Sequence, residues 1–359
     1  MLSNASSSLR HIQAKQYFDG QAWHKDWVLT WGKDRWVNLG PGVSHGSSVD
    51  TTVPYLIPAL VDLQIYGAGG SLLSVEPSAQ TVEKIAQYCR AGGAAWFQPT
   101  VATNSLAVFK AAMEAVRTYQ NNGGKGCLGL HLEGPWIHPE KRGAHSLAFI
   151  HSPTATEVRE ILALGKGVVT MITLAPEVVE PALVAEIMAA GMVVSAGHSQ
   201  ASYQEATRAF DAGVPAATHL YNAMSGLQHR APGMVGAIMD HYSVKSSIVP
   251  DGYHVDWAAI RIAHKAMGPR LFAITDAVTE TQEGPYPHQF FQDRYESNGI
   301  LSGSALTMLK ALKNLHQKVG LSLTEAIGMC STYPAQLVPP PEQAFLALDD
   351  QLNFVELFC

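Results

Sequence analysis

The sequence predicts an α/β protein whose main domain is a (β/α)8 TIM barrel, joined to a small β-sandwich domain built from the N- and C-terminal segments. Short apolar runs alternate with amphipathic stretches, a pattern typical of parallel strands that are buried on both faces. Their number matters, because eight strands with crossover helices describe a closed barrel better than an open sheet. The eight runs are IPALVDLQ, AAWFQPTVAT, CLGLHLEG, VVTMITLAP, MVVSAGHS, AATHLYN, SSIVPDGYH and LFAITDAV.

Helices are expected between most of these runs, and β structure at the two chain ends. The helix-like stretches are 78–91, 105–120, 154–164, 177–190 and 201–212, followed by 304–319 and 322–337, with a glycine-containing turn at 301–303. The first 55 residues hold short β-prone pieces, and the last residues return to β-like composition. We therefore predict a barrel over residues 56–339 and a small β domain from residues 1–55 together with 340–359.

Composition and charge argue against several classes of function. The 359 residues are 47% hydrophobic and 15% charged, which is ordinary globular composition. A net charge of −6 without a basic stripe predicts no nucleic-acid or membrane partner and favours a small molecule. We find no signal-peptide pattern and no apolar run of membrane-spanning length. Four scattered cysteines without CxxC spacing suit a reducing compartment, so we expect a cytoplasmic protein.

Polar side chains end six of the eight apolar runs. A buried parallel strand has no structural use for such a residue, and leaving it unpaired costs about 1–3 kcal/mol. Active sites of barrels gather at the C-terminal ends of the strands, so we interpret the six residues as one shared site, although one or two could simply cap their own strand. They are Gln64, Glu133, His198, His219, His254 and Asp276.

One carboxylate and two imidazoles without a thiolate suit Zn²⁺ or another first-row divalent metal. Glu133, His198 and His219 are the candidate ligands. Three protein ligands leave a coordination position for water, as in catalytic rather than structural sites. A metal there would acidify the water and polarise a carbonyl, so the predicted chemistry is hydrolysis.

Hydrolysis of an amide also needs a group that takes a proton from water and returns it to the departing amine. Asp276 is the candidate, and a helix N-cap is the alternative for this aspartate. His145 and His254 are either hydrogen-bond donors to an oxyanion or a phosphate, or ordinary structural histidines. Arg230, in a loop with Gly and Pro, is either a phosphate-binding guanidinium or a surface residue.

Nine segments in unbroken order, from about residue 55 to residue 340, resemble those of a known enzyme family. Their joint occurrence is highly specific, although each alone would be weak. They are PALVDLQIYGAGG, HLEGPW, KRGAH, SAGHS, THLYNAM, HRAPGMVGAIMD, DGYHVD, ITDA and LSGSALTM. In these segments the chain closely resembles the N-acetylglucosamine-6-phosphate deacetylase family of the amidohydrolase superfamily.

The resemblance implies a metal-bearing barrel with a small β-sandwich, one metal held by Glu133, His198 and His219, and Asp276 as the catalytic base. It implies a homodimer in which Arg230 reaches a phosphate in the neighbouring subunit's site. Acetate and an amino-sugar phosphate would be the products. The implied substrate-binding residues are Gln64, Ala144, His145, Asn222, Ala223, Arg230, Asp251, Gly252, Tyr253, His254, Leu301, Ser302 and Gly303.

The first strand distinguishes between one metal and two. Many amidohydrolases end this strand in HxH and hold a second metal there, whereas this chain has Asp62, Leu63 and Gln64. A neutral amide is a poor ligand for a transition metal compared with imidazole. We therefore predict one metal per active site, most readily Zn²⁺.

Two alternatives to this function stay open. The first is deacetylation of the galactosamine isomer, because an epimer changes only details of the pocket. The second is a non-catalytic barrel that binds sugar phosphates, which predicts the loss of a ligand or of the base. Two departures from the family pattern, a short stretch at 283–299 and an early end of the tail, indicate a reduced β domain and an altered loop near the pocket.

Overall fold

The computed structural model describes residues 9–33, 35–42, 48–284, 287–297 and 299–359. Residues 1–8, which the sequence assigns to the small β domain, lie outside this part. Nineteen strands are present in it: β1 Arg10–Phe18, β2 Trp23–Trp31, β3 Trp36–Pro41, β4 Thr51–Pro58, β5 Leu60–Ile65, β6 Gly67–Ala68, β7 Ser71–Leu72, β8 Ala94–Ala102, β9 Leu130–Glu133, β10 Val169–Leu174, β11 Val193–Ala196, β12 Ala216–Ala217, β13 Lys245–Ile248, β14 Leu271–Ala273, β15 Gln289–Phe291, β16 Arg294–Ser297, β17 Ile300–Ser304, β18 Phe345–Leu348 and β19 Phe354–Phe358.

Ten α-helices accompany these strands in the described residues: α1 Ala79–Ala91, α2 Leu106–Asn121, α3 Ala155–Gly165, α4 Pro181–Ala189, α5 Tyr203–Asp211, α6 Gly233–Asp240, α7 Trp257–Met267, α8 Met308–Asn314, α9 Leu323–Cys330 and α10 Thr332–Ala335. Side chains of Ser78, Ser105, Thr154 and Ser202 cap the amino ends of α1, α2, α3 and α5, as the residue types at those positions predict. Among the described residues, no helix is long and apolar enough to cross a membrane.

Eight parallel strands form the barrel, in the order β5-β8-β9-β10-β11-β12-β13-β14. Each is followed in the chain by a helix, from α1 after β5 to α8 after β14. The first and last strands close the cylinder through two backbone bonds, from Asp276 N to Gln64 O at 3.0 Å and from Tyr66 N to Ala277 O at 2.9 Å. The predicted fold class is confirmed.

Strands from both chain ends make one six-stranded sheet, in the order β19-β18-β4-β1-β2-β3. This sheet has its own hydrophobic cluster, which includes Ile12, Leu29, Leu56, Phe345 and Phe358. The boundaries of the small domain at residues 55 and 340 stay a prediction, although the strands that pair here come from either side of the barrel segment.

The segment before α8 differs from its predicted form. Residues 301–303, expected as a turn opening a helix, lie in β17, which pairs with β16 and through it with β15 in a three-stranded antiparallel sheet. Gly303 has a φ of +155°, and a Cβ there would lie 2.6 Å from Val278, so the close approach of the sheet to the barrel requires glycine. The helix predicted at 304–319 begins at Met308, and its last turn, Leu315–Val319, is π-helical.

Candidate active site

The polar residues that follow the barrel strands converge at one end of the cylinder, as predicted. Glu133 is the last residue of β9, His198 and His219 lie two residues beyond β11 and β12, and Asp276 lies three beyond β14. The last three have positive φ angles of 49°, 37° and 54°. Non-glycine residues with positive φ angles are strained, and such strain concentrates at functional sites. The backbone conformation therefore indicates that this end of the barrel is the functional one.

Glu133, His198 and His219 form a cluster able to hold a metal, with one ligand atom of each within 4.8 Å of the others. Glu133 Oε1 lies 3.2 Å from His198 Nε2 and 3.1 Å from His219 Nε2, and the two nitrogens are 3.0 Å apart. Ligands about 2.0–2.1 Å from a tetrahedral Zn²⁺ lie about 3.3 Å from one another. The three atoms therefore fit a single first-row divalent ion.

The hydrogen bonds around the cluster also favour a cation at this position. His198 Nδ1 lies 2.8 Å from the carbonyl of Lys141, so this nitrogen carries the proton and Nε2 presents a lone pair to Glu133 Oε1. Two facing lone pairs repel, and a cation between them turns that repulsion into coordination. A carbonyl partner on the far nitrogen is also the usual outer contact of a metal-binding histidine.

The pKa of Glu133 reflects this setting. Burial alone would raise it, but the surrounding imidazoles of His198, His145 and His219 hold the pKa of Glu133 well below its usual range. The pKa of His219 shifts in the opposite direction. Burial lowers this pKa, but Glu133 raises it by more, so the net shift is upward. The carboxylate is therefore ionised and available as a ligand.

Asp276 lies beside the cluster and faces the same space. Gln64 Nε2 donates to its Oδ1 at 2.8 Å, and His254 Nε2 lies 3.6 Å from its Oδ2. Burial raises the pKa of Asp276, an effect that His254 and His219 oppose and Glu133 reinforces. A raised carboxyl pKa favours a group that both accepts and returns a proton.

His254 is held by Asp251 rather than left to rotate. His254 Nδ1 donates to Asp251 Oδ2 at 2.6 Å, and the other oxygen of Asp251 accepts from the backbone N–H groups of Tyr253 and His254, both at 2.8 Å. This arrangement fixes the ring with Nε2 toward Asp276. Asp251 therefore orients His254 in this structure, and the substrate contact that the resemblance implies for Asp251 stays a prediction.

A cavity of about 170 Å³ opens over the cluster. Its walls contain most of the predicted site residues, including every candidate for the metal and the base. They are Glu133, Ala144, His145, His198, His219, Asn222, Ala223, His254, Asp276, Leu301 and Ser302.

Six predicted substrate contacts lie outside the walls of this cavity. Gln64 is buried beneath it, where its amide contacts Glu133 and Asp276. The others are Arg230, Asp251, Gly252, Tyr253 and Gly303. Arg230 is exposed, and Tyr253 is covered on its ring face by the guanidinium of Arg294, 4.8 Å away.

Three residues that sequence reasoning did not single out contribute to the site. Tyr66 and His288 line the cavity, and Thr103 Oγ1 lies 2.8 Å from His145 Nδ1. His288 Nδ1 lies 2.8 Å from Oγ of Ser302, a predicted site residue. Tyr66 had a usable signal, because it follows Gln64 by two residues and so shares its face of the strand. His288 had none, since it lies just before β15, in a segment for which the sequence predicts no barrel strand.

Comparisons with known proteins agree with this geometry. The sequence pattern of the amidohydrolase family matches residues 55–338. An N-acetylglucosamine-6-phosphate deacetylase of Haemophilus influenzae is 32% identical over 320 residues, which cover 86% of this chain and 81% of the relative. An N-acetylgalactosamine-6-phosphate deacetylase of a Shewanella species is 33% identical over 311 residues, covering 84% and 79%.

Solved structures give the same result in three dimensions. The crystal structure of N-acetylglucosamine-6-phosphate deacetylase from Pasteurella multocida has a TM-score of 0.90 at 27% identity, and the match covers 98% of both chains. A mutant of the Mycobacterium smegmatis enzyme in complex with N-acetyl-D-glucosamine-6-phosphate has the same TM-score at 26% identity, covering 98% of this chain and 97% of that one. This chain is therefore a hydrolytic enzyme and belongs to the amidohydrolase family.

Proposed function

We propose that the protein removes the acetyl group from N-acetylglucosamine-6-phosphate, giving acetate and glucosamine-6-phosphate. The observation that carries the proposal is the grouping of Glu133, His198, His219 and Asp276 around one cavity. The names of the relatives support the substrate, since enzymes similar over more than four fifths of this chain deacetylate N-acetylated hexosamine 6-phosphates. Amino-sugar catabolism is the process that such a reaction serves.

Glu133, His198 and His219 would hold a divalent metal, which would supply an acidified water and polarise the acetamide carbonyl. Asp276 takes the proton of the attacking water on its carboxylate and returns it to the nitrogen of the departing amine. Gln64 orients this carboxylate through the 2.8 Å bond to Oδ1. We assign to His145, which lies in the cavity wall with Nε2 3.2 Å from Glu133 Oε2, a hydrogen bond to the oxyanion.

We propose Zn²⁺ as the ion, with one equivalent per subunit. Support comes from the ligand set, because imidazole and carboxylate ligands at tetrahedral separations suit Zn²⁺. Gln64 supports the single equivalent, since it occupies the strand position where two-metal members of the superfamily have a histidine. Other first-row divalent ions share these preferences.

The phosphate end of the substrate is assigned to a shared site in a homodimer. Arg230 is exposed on the loop between β12 and α6, so its guanidinium is available to a neighbouring subunit. Arginine binds phosphate in a bidentate manner. Within the subunit, His254 and Asn222 in the cavity wall complete the proposed sugar-phosphate site.

We also propose a cytoplasmic location, because the proposed substrate is phosphorylated and the cysteines are free thiols.

The galactosamine isomer is the second candidate substrate. A relative that is named for it matches this chain at 33% identity, against 32% for the glucosamine enzyme of H. influenzae. The two sugars differ in the configuration of one hydroxyl group. Contacts between that hydroxyl and the side chains of the pocket therefore decide which sugar is the better substrate. His288 is a wall residue that immediately precedes β15 of the inserted sheet, and we propose that it contributes to this choice.

Acetate release from the two N-acetylhexosamine 6-phosphates, measured in parallel, tests the proposal. We expect turnover of N-acetylglucosamine-6-phosphate, its loss after removal of metal with a chelator, and its return on addition of Zn²⁺. Glu133→Gln is the matched variant, because it removes a ligand charge with little change of volume. Faster turnover of the galactosamine isomer would select the second candidate, and release of acetate from neither compound would overturn the proposal.

A further inference from the structure

A tyrosine hydroxyl lies between the two carboxylates of the site. Tyr66 follows β5, and its hydroxyl lies 2.5 Å from Glu133 Oε2 and 3.3 Å from Asp276 Oδ1, while Gln64 Nε2 donates to it at 2.6 Å. We infer that Tyr66 is a positioning residue for the metal centre, whose hydroxyl holds one oxygen of Glu133 so that only the other is a ligand. This inference rests on the proposed metal site.

The two oxygens of Glu133 have different surroundings. Oε1 faces the Nε2 atoms of His198 and His219 at 3.2 and 3.1 Å, and Gln64 Nε2 lies 3.0 Å from it. Oε2 faces the Tyr66 hydroxyl and, at 3.2 Å, His145 Nε2. Both proposed histidine ligands are thus on the side of Oε1, and the Tyr66 hydroxyl is on the side of Oε2.

The direction of the hydrogen bond follows from the partners. The phenol has one proton, and the Gln64 amide is itself a donor, so Tyr66 accepts from Gln64 and gives its proton to a carboxylate. Glu133 Oε2 is the nearer acceptor, at 2.5 Å against 3.3 Å for Asp276 Oδ1. A donor to an ionised acceptor makes a strong, short bond, which ties the carboxylate plane to the barrel wall.

Loss of this bond should act on the metal more than on the fold. Glu133 is 1% exposed, so no water replaces the lost donor readily, and the carboxylate becomes free to turn both oxygens toward the ion. Partners that orient metal ligands from outside are worth about 10- to 100-fold in metal affinity. Tyr66→Phe, which removes only the oxygen, isolates this effect.

Zn²⁺ affinity, measured by competition with a chromogenic chelator, is the test. Tyr66→Phe should bind about 10- to 100-fold more weakly than the unaltered protein. Tyr88→Phe is the control, because the hydroxyl of Tyr88 donates to the carbonyl of Leu306 at 3.0 Å, outside the cavity, and this variant should bind as the unaltered protein does. The stabilisation gained on adding metal, taken as the difference in Tm between metal-free and loaded protein, should shrink only for Tyr66→Phe.

Coordination can also be observed directly. The visible absorption of Co²⁺-substituted protein depends on coordination number, so Tyr66→Phe should change this spectrum and Tyr88→Phe should not. Unchanged affinity and an unchanged Co²⁺ spectrum in Tyr66→Phe would overturn the inference. Glu133→Gln separates this failure from failure of the metal site itself, because unaltered metal binding by Glu133→Gln would reject the site.

Discussion

Two polar layers lie inside the same barrel, and they differ in how their atoms are paired. The lower layer contains His131, and the upper layer contains Glu133, two residues later on β9 and on the same face of the strand. Both residues are 1% exposed. Burial therefore does not distinguish the structural from the functional position here, whereas the pairing of hydrogen bonds does.

Every link of the lower layer joins a donor to an acceptor. His131 Nδ1 lies 3.2 Å from the carbonyl of Leu63, so it carries the proton, and Nε2 accepts from the hydroxyl of Thr173 at 2.7 Å. Thr173 in turn accepts from Thr218 at 2.7 Å, which accepts from Ser195 at 2.6 Å. A chain of this kind is complete and binds nothing further.

The upper layer is not paired in this way. His198 Nε2 presents a lone pair to Glu133 Oε1 at 3.2 Å, and His219 Nε2 lies within 3.1 Å of both atoms while its Nδ1 has no hydrogen-bond partner among the described residues. A cation bound by the three atoms satisfies this arrangement. Burial lowers the pKa of both His131 and His198 to about 4, so the pKa values are alike while the partners are not. The comparison teaches that facing lone pairs identify the functional layer.

The largest expected effect comes from breaking the upper layer at Asp276. Asp276→Asn removes the proton acceptor without removing a proposed metal ligand, so kcat should fall by about 10²- to 10⁴-fold while bound metal stays at one equivalent. Steady-state kinetics with metal analysis measures both. Asp256→Asn, at the cap of α7, is the control carboxylate, and near-normal turnover of Asp276→Asn would show that another group is the base.

Breaking the lower layer should cost stability and leave the metal in place. His131→Ala opens a cavity and leaves the Thr173 hydroxyl and the Leu63 carbonyl without their partner, so the free energy of unfolding should fall by about 2–4 kcal/mol. Denaturant unfolding measures this loss, and metal analysis of the folded variant should still give one equivalent. Loss of the metal at unchanged stability would mean that the two layers are not separable.

The smallest effect concerns the pH dependence of stability that comes from Asp62, a buried carboxyl on β5 that belongs to neither layer. Asp62 accepts from Thr275 Oγ1 at 2.5 Å and from its backbone N–H at 3.1 Å, yet burial, which outweighs these bonds, raises its pKa from 3.8 to about 6. Because the folded state holds this proton more tightly, Asp62 lowers the free energy of unfolding as pH rises from 3.8 to 6, by up to about 3 kcal/mol.

Asp62→Asn removes this titration. The unfolding free energy of the variant minus that of the unaltered protein should therefore increase by up to about 3 kcal/mol between pH 3.8 and 6 and stay constant above pH 7. Urea titrations at a series of pH values measure the difference. A difference that does not change across this window would mean that Asp62 has an ordinary pKa in the folded protein.

The sequence by itself determined the barrel, because buried parallel strands require continuous apolar runs and such runs are visible without any structure. It also predicted that Glu133, His198, His219 and Asp276 lie together, since polar residues at the ends of buried strands are costly unless they meet, and the four line one cavity. The resemblance added their roles as ligands and base, which stay proposals. Helix starts were also readable where Ser or Thr caps them.

Only the tertiary structure decided which atoms face one another. His131 and Glu133 are two residues apart, but the side chain of His131 is fully hydrogen-bonded inside the barrel whereas Glu133 faces the cavity. Asp251 and Tyr253 are also two residues apart, but Asp251 is bound to His254 whereas Tyr253 is exposed to solvent. Tyr66 meets Glu133 across 67 positions of chain, and His288 reaches the cavity from the segment just before β15. These distances depend on the register and closure of the barrel, which arise from packing among strands far apart in sequence and leave no local pattern.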